Sequence, residues 1–332
     1  MTAAASLTPR KALTTIAALA VLLCIMICLG LGIGSVDVPV SHVIGALTGG
    51  PALPDTEATI LFIIRLPRVL LAVIVGAGLS VAGVVFQALL RNPLAEPYIL
   101  GISSGGTIGA IIAIGFSLGT IGTPVASFIG AALVMMVVYG LAHKRGELDT
   151  MTLLLAGVMI GAFFNAAVLL LIALLNQELR NAFLWLMGNL GAATMSSNLI
   201  VGPPVLLASL LLLSQARAFN VIATGDETAL QLGVDVPFVK RFSYLLASLI
   251  TGLVVSVSGV IGFVGLIIPH VCRMLFGPDH RLLLPASFLA GASFLIAADM
   301  LSRTVIAPTE IPVGAVTAAI GAPVFVYLLR RA

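Results

Sequence analysis

The chain has 332 residues, of which 60% are hydrophobic and only 9% are charged, and its mean hydropathy is +1.20. Ordinary soluble domains carry roughly 25% charged residues, so this composition excludes a water-soluble fold. The net charge of +3 comes from Lys and Arg residues scattered singly or in pairs between apolar runs. Such a pattern indicates membrane topology rather than nucleic-acid binding. We predict an all-α, polytopic membrane protein that lies in a lipid bilayer and binds no nucleic acid.

The first predicted membrane span follows Arg10 and Lys11 and runs without charge from Ala12 to Val36. This run continues well past Ala18-Leu19-Ala20, a sequence that a signal peptidase could cut, so a span is favoured over a cleaved signal peptide. Further charge-free runs are separated by Gly, Pro and Asn clusters, and each is read as a helix. They cover about residues 69–90, 100–117, 123–142, 152–175, 198–215, 242–258, 262–276, 283–302 and 313–329.

The stretch from Phe242 to Phe276 could form one long tilted helix or two spans, and the positive-inside rule distinguishes the two topologies. With ten spans, 12 of the 16 Lys and Arg residues lie inside; with nine spans, the split is 9 inside against 7 outside. The four left outside in the ten-span topology are Arg65, Arg68, Arg180 and Arg303. We therefore predict ten transmembrane helices with both termini cytoplasmic, in a single domain over residues 1–332.

The long cytoplasmic loop, about residues 217–241, has at its centre the composition of a short helix. Thr224 or Asp226 can cap its start, and Gly233 stands where a left-handed terminator is expected. The segment lacks the basic polar face of a lipid-binding helix, which favours docking to a partner protein.

On the outer side, Arg65 and Arg68 stand just before the second span, and Arg303 follows the ninth. Such residues can be interfacial side chains that snorkel toward water. Alternatively, three exposed arginines on one face can bind carboxylates of an external protein. Composition alone leaves both interpretations open.

Small residues recur at four-residue spacing, as in Gly101, Gly105 and Gly109 and again in Gly157 and Gly161. In lipid, such spacing lets helices pack backbone against backbone. We interpret these glycines as packing positions and not as a binding site.

Few patterns in the chain indicate catalysis. None of the three lysines is followed by Ser or Thr, which excludes a P-loop ATPase. The sequence from Gly101 to Gly105 matches the G-x-S-x-G pattern of serine hydrolases around Ser103, but it opens a Gly-rich membrane helix instead of a strand-turn-helix elbow. Asp299 is the one acid inside a predicted span, so an ion-coupled secondary carrier has little support. That carrier remains the alternative function, and no catalytic or metal-binding residue is predicted.

Ordered strings run through nearly the whole chain and carry a family resemblance. They are RLPR (65–68), GAGLSVAGVVFQALLRNPLAEPYILGISSGG (76–106), LLLAG (153–157), GDETALQLGV (225–234), GFVGLIIPHVCR (262–273), and DHRLLLP, AAD and EIPVGAVTAAIGAP between 279 and 323. Together they resemble the permease subunits of type II ABC importers, which take up ferric siderophores, haem and cobalamin. The first 60 residues and the segment 176–215 match loosely.

The resemblance implies ten helices per subunit and a second permease subunit, normally a second copy, with the pore between the two. It also implies two ATP-binding subunits that hold ATP and Mg, and a periplasmic substrate-binding protein. This chain would then be no enzyme and bind no cofactor or metal itself. Its expected location is the bacterial inner membrane, and its expected cargo is an iron chelate or cobalamin.

The resemblance also implies roles for individual residues, in three groups. The helix that couples to the ATPase would include Gly225, Asp226, Glu227, Ala229, Leu232 and Gly233. The arginines that dock the binding protein would be Arg65, Arg68 and Arg303. The inner gates would be Asn92, Pro93 and Leu94 together with Asp149 and Thr150, where Asp149 replaces an expected small hydroxyl residue.

Overall fold

The computed structural model describes residues 8–34, 36, 38–50, 53–144, 147–174 and 179–329. Arg145, Arg330 and Arg331, which the topology count includes, lie outside these ranges. Within them the regular secondary structure is helical apart from one antiparallel pair of two-residue strands, β1 (His143–Lys144) and β2 (Glu147–Leu148). The all-α class is therefore confirmed.

The α-helices of the described residues are numbered in chain order. They are α1 (Pro9–Gly32), α2 (Val40–Thr48), α3 (Asp55–Ala58), α4 (Leu66–Leu89), α5 (Ile102–Gly115), α6 (Gly119–Ala142), α7 (Thr150–Leu174), α8 (Leu179–Leu186), α9 (Met195–Ser214), α10 (Ala216–Ile222), α11 (Asp226–Gln231), α12 (Val236–Ser258), α13 (Val264–Phe276), α14 (His280–Thr304) and α15 (Val313–Leu329). A π-helical segment, Thr59–Arg65, joins α3 to α4, and a short 3₁₀ helix, Pro97–Leu100, precedes α5.

In the described ranges, seven helical segments are long and apolar enough to cross a membrane. They are α1, the continuous segment Asp55–Leu89 that contains α4, and α6, α7, α9, α12 and α14. The shorter apolar helices α5, α13 and α15 lie where the other three spans are predicted. The stretch from Phe242 to Phe276 is two helices, because α12 ends at Ser258 and α13 begins at Val264.

The longer connections between predicted spans contain helices that the hydropathy pattern does not predict. α2 has nine residues and α8 has eight, and α3 is a single turn before the π-helical segment. Segments this short span too few turns for a period of 3.6 residues to become visible.

Helix α4 forms the centre of the bundle and is buried along almost its whole length, packed against α9, α12, α13 and α14. Its neighbours approach at glycines. A Cβ atom at Gly83 would overlap the carbonyl oxygen of Gly265 in α13, and one at Gly76 would overlap that of Gly291 in α14. At Gly105 in α5, a Cβ would crowd the backbone of Gly130 in α6, which confirms the packing interpretation of the glycine repeats.

The two ends of α4 carry different sets of partners. At its start, Asn198 of α9 donates a hydrogen bond to the carbonyl oxygen of Pro67 at 2.7 Å. At its other end, Arg91 pairs with Asp226 of α11. From Arg68 to Arg91 the helical rise corresponds to about 35 Å, enough to cross the hydrocarbon core of a bilayer. We call these the arginine end and the coupling end.

Candidate functional site

The three arginines of the predicted docking set gather at the arginine end, but they are buried. Arg65 is 4% exposed, Arg68 is 5% exposed and Arg303 is 4% exposed. The expectation that they stand exposed on one face is therefore wrong. Each guanidinium is turned inward because oxygen atoms of neighbouring helices accept its hydrogen bonds.

Asp299 of α14 links two of these arginines. Its side chain is fully buried, and Arg68 donates from Nε to its Oδ1 at 2.9 Å. Arg303, one turn further along α14, brings its Nε to 3.1 Å from Oδ2. Arg303 also donates from Nη2 to the carbonyl oxygen of Gly30 at 3.0 Å. Because an unpaired buried charge is costly, Asp299 supplies the two buried guanidiniums with an acceptor inside the bundle.

Arg65 binds the end of α1. It donates from Nη1 to the carbonyl oxygens of Leu31 at 2.8 Å and Gly32 at 2.6 Å, and from Nη2 to that of Val36. The last carbonyls of a helix lack partners inside the helix and carry partial negative charge, so a guanidinium stabilises them. No local sequence pattern reveals this role, because the partners lie about 30 residues earlier in the chain.

Glu310 completes the arginine cluster from outside. It lies in the connection between α14 and α15, and both of its carboxylate oxygens accept from Nη1 of Arg68, at 3.0 and 2.8 Å. Its side chain is 46% exposed, whereas that of Arg68 is 6% exposed. Glu310 belongs to one of the strings that carry the family resemblance, but no role was predicted for it. We use the name arginine cluster for Arg65, Arg68, Asp299, Arg303 and Glu310.

At the coupling end, the short helix α11 lies inside the predicted loop 217–241. Gly233 follows it in a left-handed conformation with φ 81°, which confirms the predicted terminator. The predicted capping is wrong, because Gly225 occupies the N-cap position and the Thr224 hydroxyl donates back to Val221. Ala229 is buried beneath the helix, and Leu232 is 67% exposed.

The Asp226 carboxylate is held from two sides instead of capping its helix. Lys240, near the start of α12, donates from Nζ to Oδ2 at 2.6 Å, and Arg91 pairs with Oδ1. Lys240 is buried, and Arg91 directly follows the last turn of α4. These contacts connect α11 to both α4 and α12. Asp226 was predicted to belong to the coupling helix, but neither of its two partners was predicted.

The predicted gate residues follow or precede long helices at the coupling end. Asn92 accepts from the backbone N–H of Leu94 at 2.9 Å, and this exposed turn comes directly after Arg91. Asp149 accepts from the N–H of Thr152 at 2.8 Å, where α7 begins at Thr150. A hydroxyl or a carboxylate can make such a contact to the first turn of a helix, which explains the acid at this position.

A second set of polar contacts ties the predicted coupling loop to the turn between α13 and α14. Asn220 of α10 donates from Nδ2 to Asp279 at 2.8 Å and accepts from the backbone N–H of His280 at 2.9 Å. Arg281 donates to the same carboxylate, and these bonds hold the pKa of Asp279 well below its usual range. The segment before α11 is therefore fixed to the bundle.

Glu96 lies in the connection between α4 and α5, directly before the short 3₁₀ helix. It accepts from the backbone N–H of Phe263 at 2.8 Å, directly before α13 begins. A carboxylate at this place complements the partial positive charge of a helix N-terminus. The nearby Tyr98 hydroxyl accepts from the N–H of Ile261 at 3.2 Å. These bonds fix the segment before α5 against the start of α13.

Comparison with known proteins assigns the chain to one family. The model of the FecCD transport family matches residues 22–331. The chain belongs to the FecCD transport family. It is 44% identical over 306 residues to the cobalamin import system permease protein BtuC of Halobacterium salinarum, covering 87% of this chain and 82% of that protein. It is 46% identical over 275 residues to the hemin transport system permease protein HmuU of Yersinia pestis, covering 81% and 82%.

A solved structure agrees with the same assignment. A metal-chelate type ABC transporter in an inward-facing conformation matches with a TM-score of 0.86 and 33% sequence identity, over 96% of this chain and 99% of that one. As a FecCD member, the chain is a multi-pass permease, the transport component of an ABC importer whose ATPase is a separate subunit. The serine-hydrolase alternative is not supported, because Ser103 lies in the first turn of the helix α5 and not in a strand-turn-helix elbow.

Proposed function

We propose that this FecCD permease imports a metal chelate of the haem, ferric siderophore or cobalamin class across the bacterial inner membrane. The relatives named for cobalamin and hemin support this cargo class, as does the structural match to a metal-chelate transporter. The secondary carrier is set aside because family membership assigns energy supply to a separate ATPase subunit.

The observation that best supports this proposal is that two groups of charged residues lie at opposite ends of α4. The arginine cluster lies at the start of this helix, and the contact between Arg91 and Asp226 lies at its end, about 35 Å away. We infer ten transmembrane helices with both termini cytoplasmic, which puts the arginine end in the periplasm and the coupling end in the cytoplasm. Residues 1–332 then form one permease domain that pairs with a second copy of itself.

On the cytoplasmic side, α11 is proposed to seat in an ATP-binding subunit, with one such subunit for each permease copy. The exposed Leu232 offers an apolar contact, and the buried Ala229 anchors the helix to the bundle. ATP and Mg bind the ATPase subunits, and their closure displaces α11. The Asp226 contacts pass that displacement to α4 and α12.

The contact between Asp226 of α11 and Arg91 also supports the proposed inner gates. Arg91 directly precedes Asn92, Pro93 and Leu94, so a shift of α11 moves this turn first. The second gate segment, Asp149 and Thr150, lies at the start of α7. There, α6 and α12 are joined by a hydrogen bond from the Tyr244 hydroxyl to the carbonyl oxygen of Met135 at 3.1 Å.

On the periplasmic side, Arg65, Arg68 and Arg303 are proposed to receive carboxylates of a substrate-binding protein. Their three positive charges exceed the two negative charges of Asp299 and Glu310 in the same cluster. This excess of one positive charge is local to the cluster, because Asp55 and Glu57 of α3 add two carboxylates at the same end of the bundle. It favours contact with an acidic side chain of the partner at this one point.

The decisive experiment is ATP-dependent uptake into proteoliposomes that contain this chain, its cognate ATPase and its binding protein. Haem, a ferric siderophore and cobalamin are offered in parallel, with a non-hydrolysable ATP analogue as the control. We expect accumulation of one cargo with ATP and none with the analogue. Uptake driven by an ion gradient without the ATPase subunit would contradict the proposal and restore the secondary carrier.

A further inference from the structure

We propose that Glu310 is a built-in substitute for the carboxylate of the docking protein. It occupies Arg68 while the permease is free, and an acidic side chain of the binding protein displaces it on docking. This inference rests on the docking role proposed above for the arginine cluster, and it adds the residue that competes for the cluster.

Arg68 is already occupied by two carboxylates. Its Nε is committed to Asp299 at 2.9 Å, and its Nη1 is committed to both oxygens of Glu310. A carboxylate that arrives from the periplasm therefore meets Glu310 before it can reach this guanidinium. The position beside Arg68 Nη1 accommodates a carboxylate, because that of Glu310 already occupies it.

The two acids around Arg68 differ in their freedom to leave. Asp299 is fully buried between Arg68 and Arg303, so its departure would leave buried charges without partners. Glu310 has a side chain that is 46% exposed, and water can solvate it as it leaves. Exchange of one carboxylate for another also keeps the charge of Arg68 compensated throughout.

Glu310 is carried on the connection between α14 and α15. Residues 305–310 are all exposed, whereas the next residue is anchored. The N–H of Ile311 donates to the carbonyl oxygen of Ser302 at 3.0 Å, and the Ser302 hydroxyl donates to the carbonyl oxygen of Ile311. Glu310 can therefore leave Arg68 without breaking the backbone contacts between Ser302 and Ile311. The surface that it uncovers is the one an acidic partner would occupy.

The test compares the affinity of the wild-type permease–ATPase complex and its variants for the cognate binding protein. Glu310→Gln and Glu310→Ala remove the competing charge. Asp55→Asn is the matched control, since it removes an exposed acid of α3 at the same end of the bundle. Interferometry on immobilised complexes in lipid nanodiscs, over a series of salt concentrations, gives the dissociation constants.

We expect both Glu310 variants to bind about tenfold more tightly at low salt, because a competitor that fills the site nine-tenths of the time costs that factor. The gain should shrink at high salt, where charge contacts are screened. Asp55→Asn should stay within about twofold of the wild-type dissociation constant, because surface charges away from the contact have small effects.

Three outcomes overturn the inference, and they differ from one another. Unchanged or weaker binding in both Glu310 variants, with intact wild-type binding, refutes the exchange while the docking proposal stands. If neither variant assembles into the permease–ATPase complex, Glu310 is a fixed structural counterion and not an exchangeable one. Absence of binding to the wild-type complex at every salt concentration rejects the docking role itself.

Discussion

Asp299 shows how a single side chain can determine the arrangement of one end of a membrane bundle. It joins α4 to α14 through Arg68, and the neighbouring Arg303 ties both helices to the end of α1. All of these groups are buried, so their charges depend on one another instead of on water. Removing one partner therefore costs more than the loss of a hydrogen bond.

We expect Asp299→Asn to destabilise the permease by about 3–5 kcal/mol, because two buried guanidiniums lose their shared counterion. Thermal unfolding in detergent should show a clearly lowered midpoint and a poor yield of folded protein. Asp55→Asn, which removes an exposed carboxylate at the same end, should leave the midpoint unchanged. Equal midpoints for the two variants would show that the buried ion pairs do not stabilise this end.

The sequence predicted which arginines gather at this end but not how they are held. Arg68 and Asp299 are separated by 231 positions, and no local pattern links residues that far apart. The resemblance supplied the positions, whereas burial and pairing depend on the packing of α1, α4 and α14. The carboxylate of Glu310 was missed for the same reason, since it meets Arg68 across 242 positions.

At the scale of elements, the close approach of α4 to α13 depends on glycine. A side chain at Gly83 would meet the backbone of Gly265, which has no freedom to move aside within its own helix. Close contact of this kind is a main source of helix association where water is absent.

Gly83→Ala should therefore separate α4 from α13, with a loss of about 2 kcal/mol or more through overpacking. The matched control is Gly140→Ala in α6, where an added Cβ meets nothing within 4 Å. That control should be neutral or slightly stabilising, since alanine favours a helix by about 0.5–1 kcal/mol over glycine. Thermal unfolding of the two variants side by side measures the difference, and a similar response in both would argue against the glycine contact.

Helix α11 supplies the second prediction at this scale. Asp226→Asn removes the charge that holds α11 to Arg91 and Lys240. We expect the complex with the ATPase to assemble, but the number of cargo molecules taken up per ATP hydrolysed to fall at least several-fold.

The control variant is Asp226→Glu, which keeps the charge and should restore most of the coupling. Uptake and ATP hydrolysis are measured in the same proteoliposomes, so that a purely structural defect, which lowers both rates together, is separated from uncoupling. An unchanged uptake-to-hydrolysis ratio in Asp226→Asn would exclude the proposed transmission through this carboxylate.

The elements differ in how well the sequence predicted them. Charge counting separated α12 from α13, because the position of Arg273 and later cations depends on that break. The terminator Gly233 was also correct, since a left-handed residue after a short helix favours glycine. The cap of α11 was wrong because the carboxylate of Asp226 finds stronger partners on other helices than the N–H groups of its own first turn.

For the whole molecule, composition alone was sufficient to predict a helical membrane protein. Membrane spans can be predicted from sequence because each must satisfy its own backbone and remain apolar over its length. Composition could not show that α4 carries the arginine cluster at its start and is followed at its end by Arg91, which pairs with Asp226 of α11. In the proposed topology, α4 would connect the two sides of the bilayer mechanically.

Cysteine labelling can test whether the two ends of α4 lie on opposite sides of the membrane. In a background with Cys24, Cys28 and Cys272 replaced by alanine, single cysteines are introduced at the exposed residues Thr309 and Thr228. With ten spans, a membrane-impermeant maleimide should label Thr309→Cys only from the periplasmic side. It should label Thr228→Cys only from the cytoplasmic side, in vesicles without the ATPase subunit. Nine spans would put both cysteines in the cytoplasm, so labelling of the two from the same side would reject the ten-span topology and with it the transmembrane role of α4.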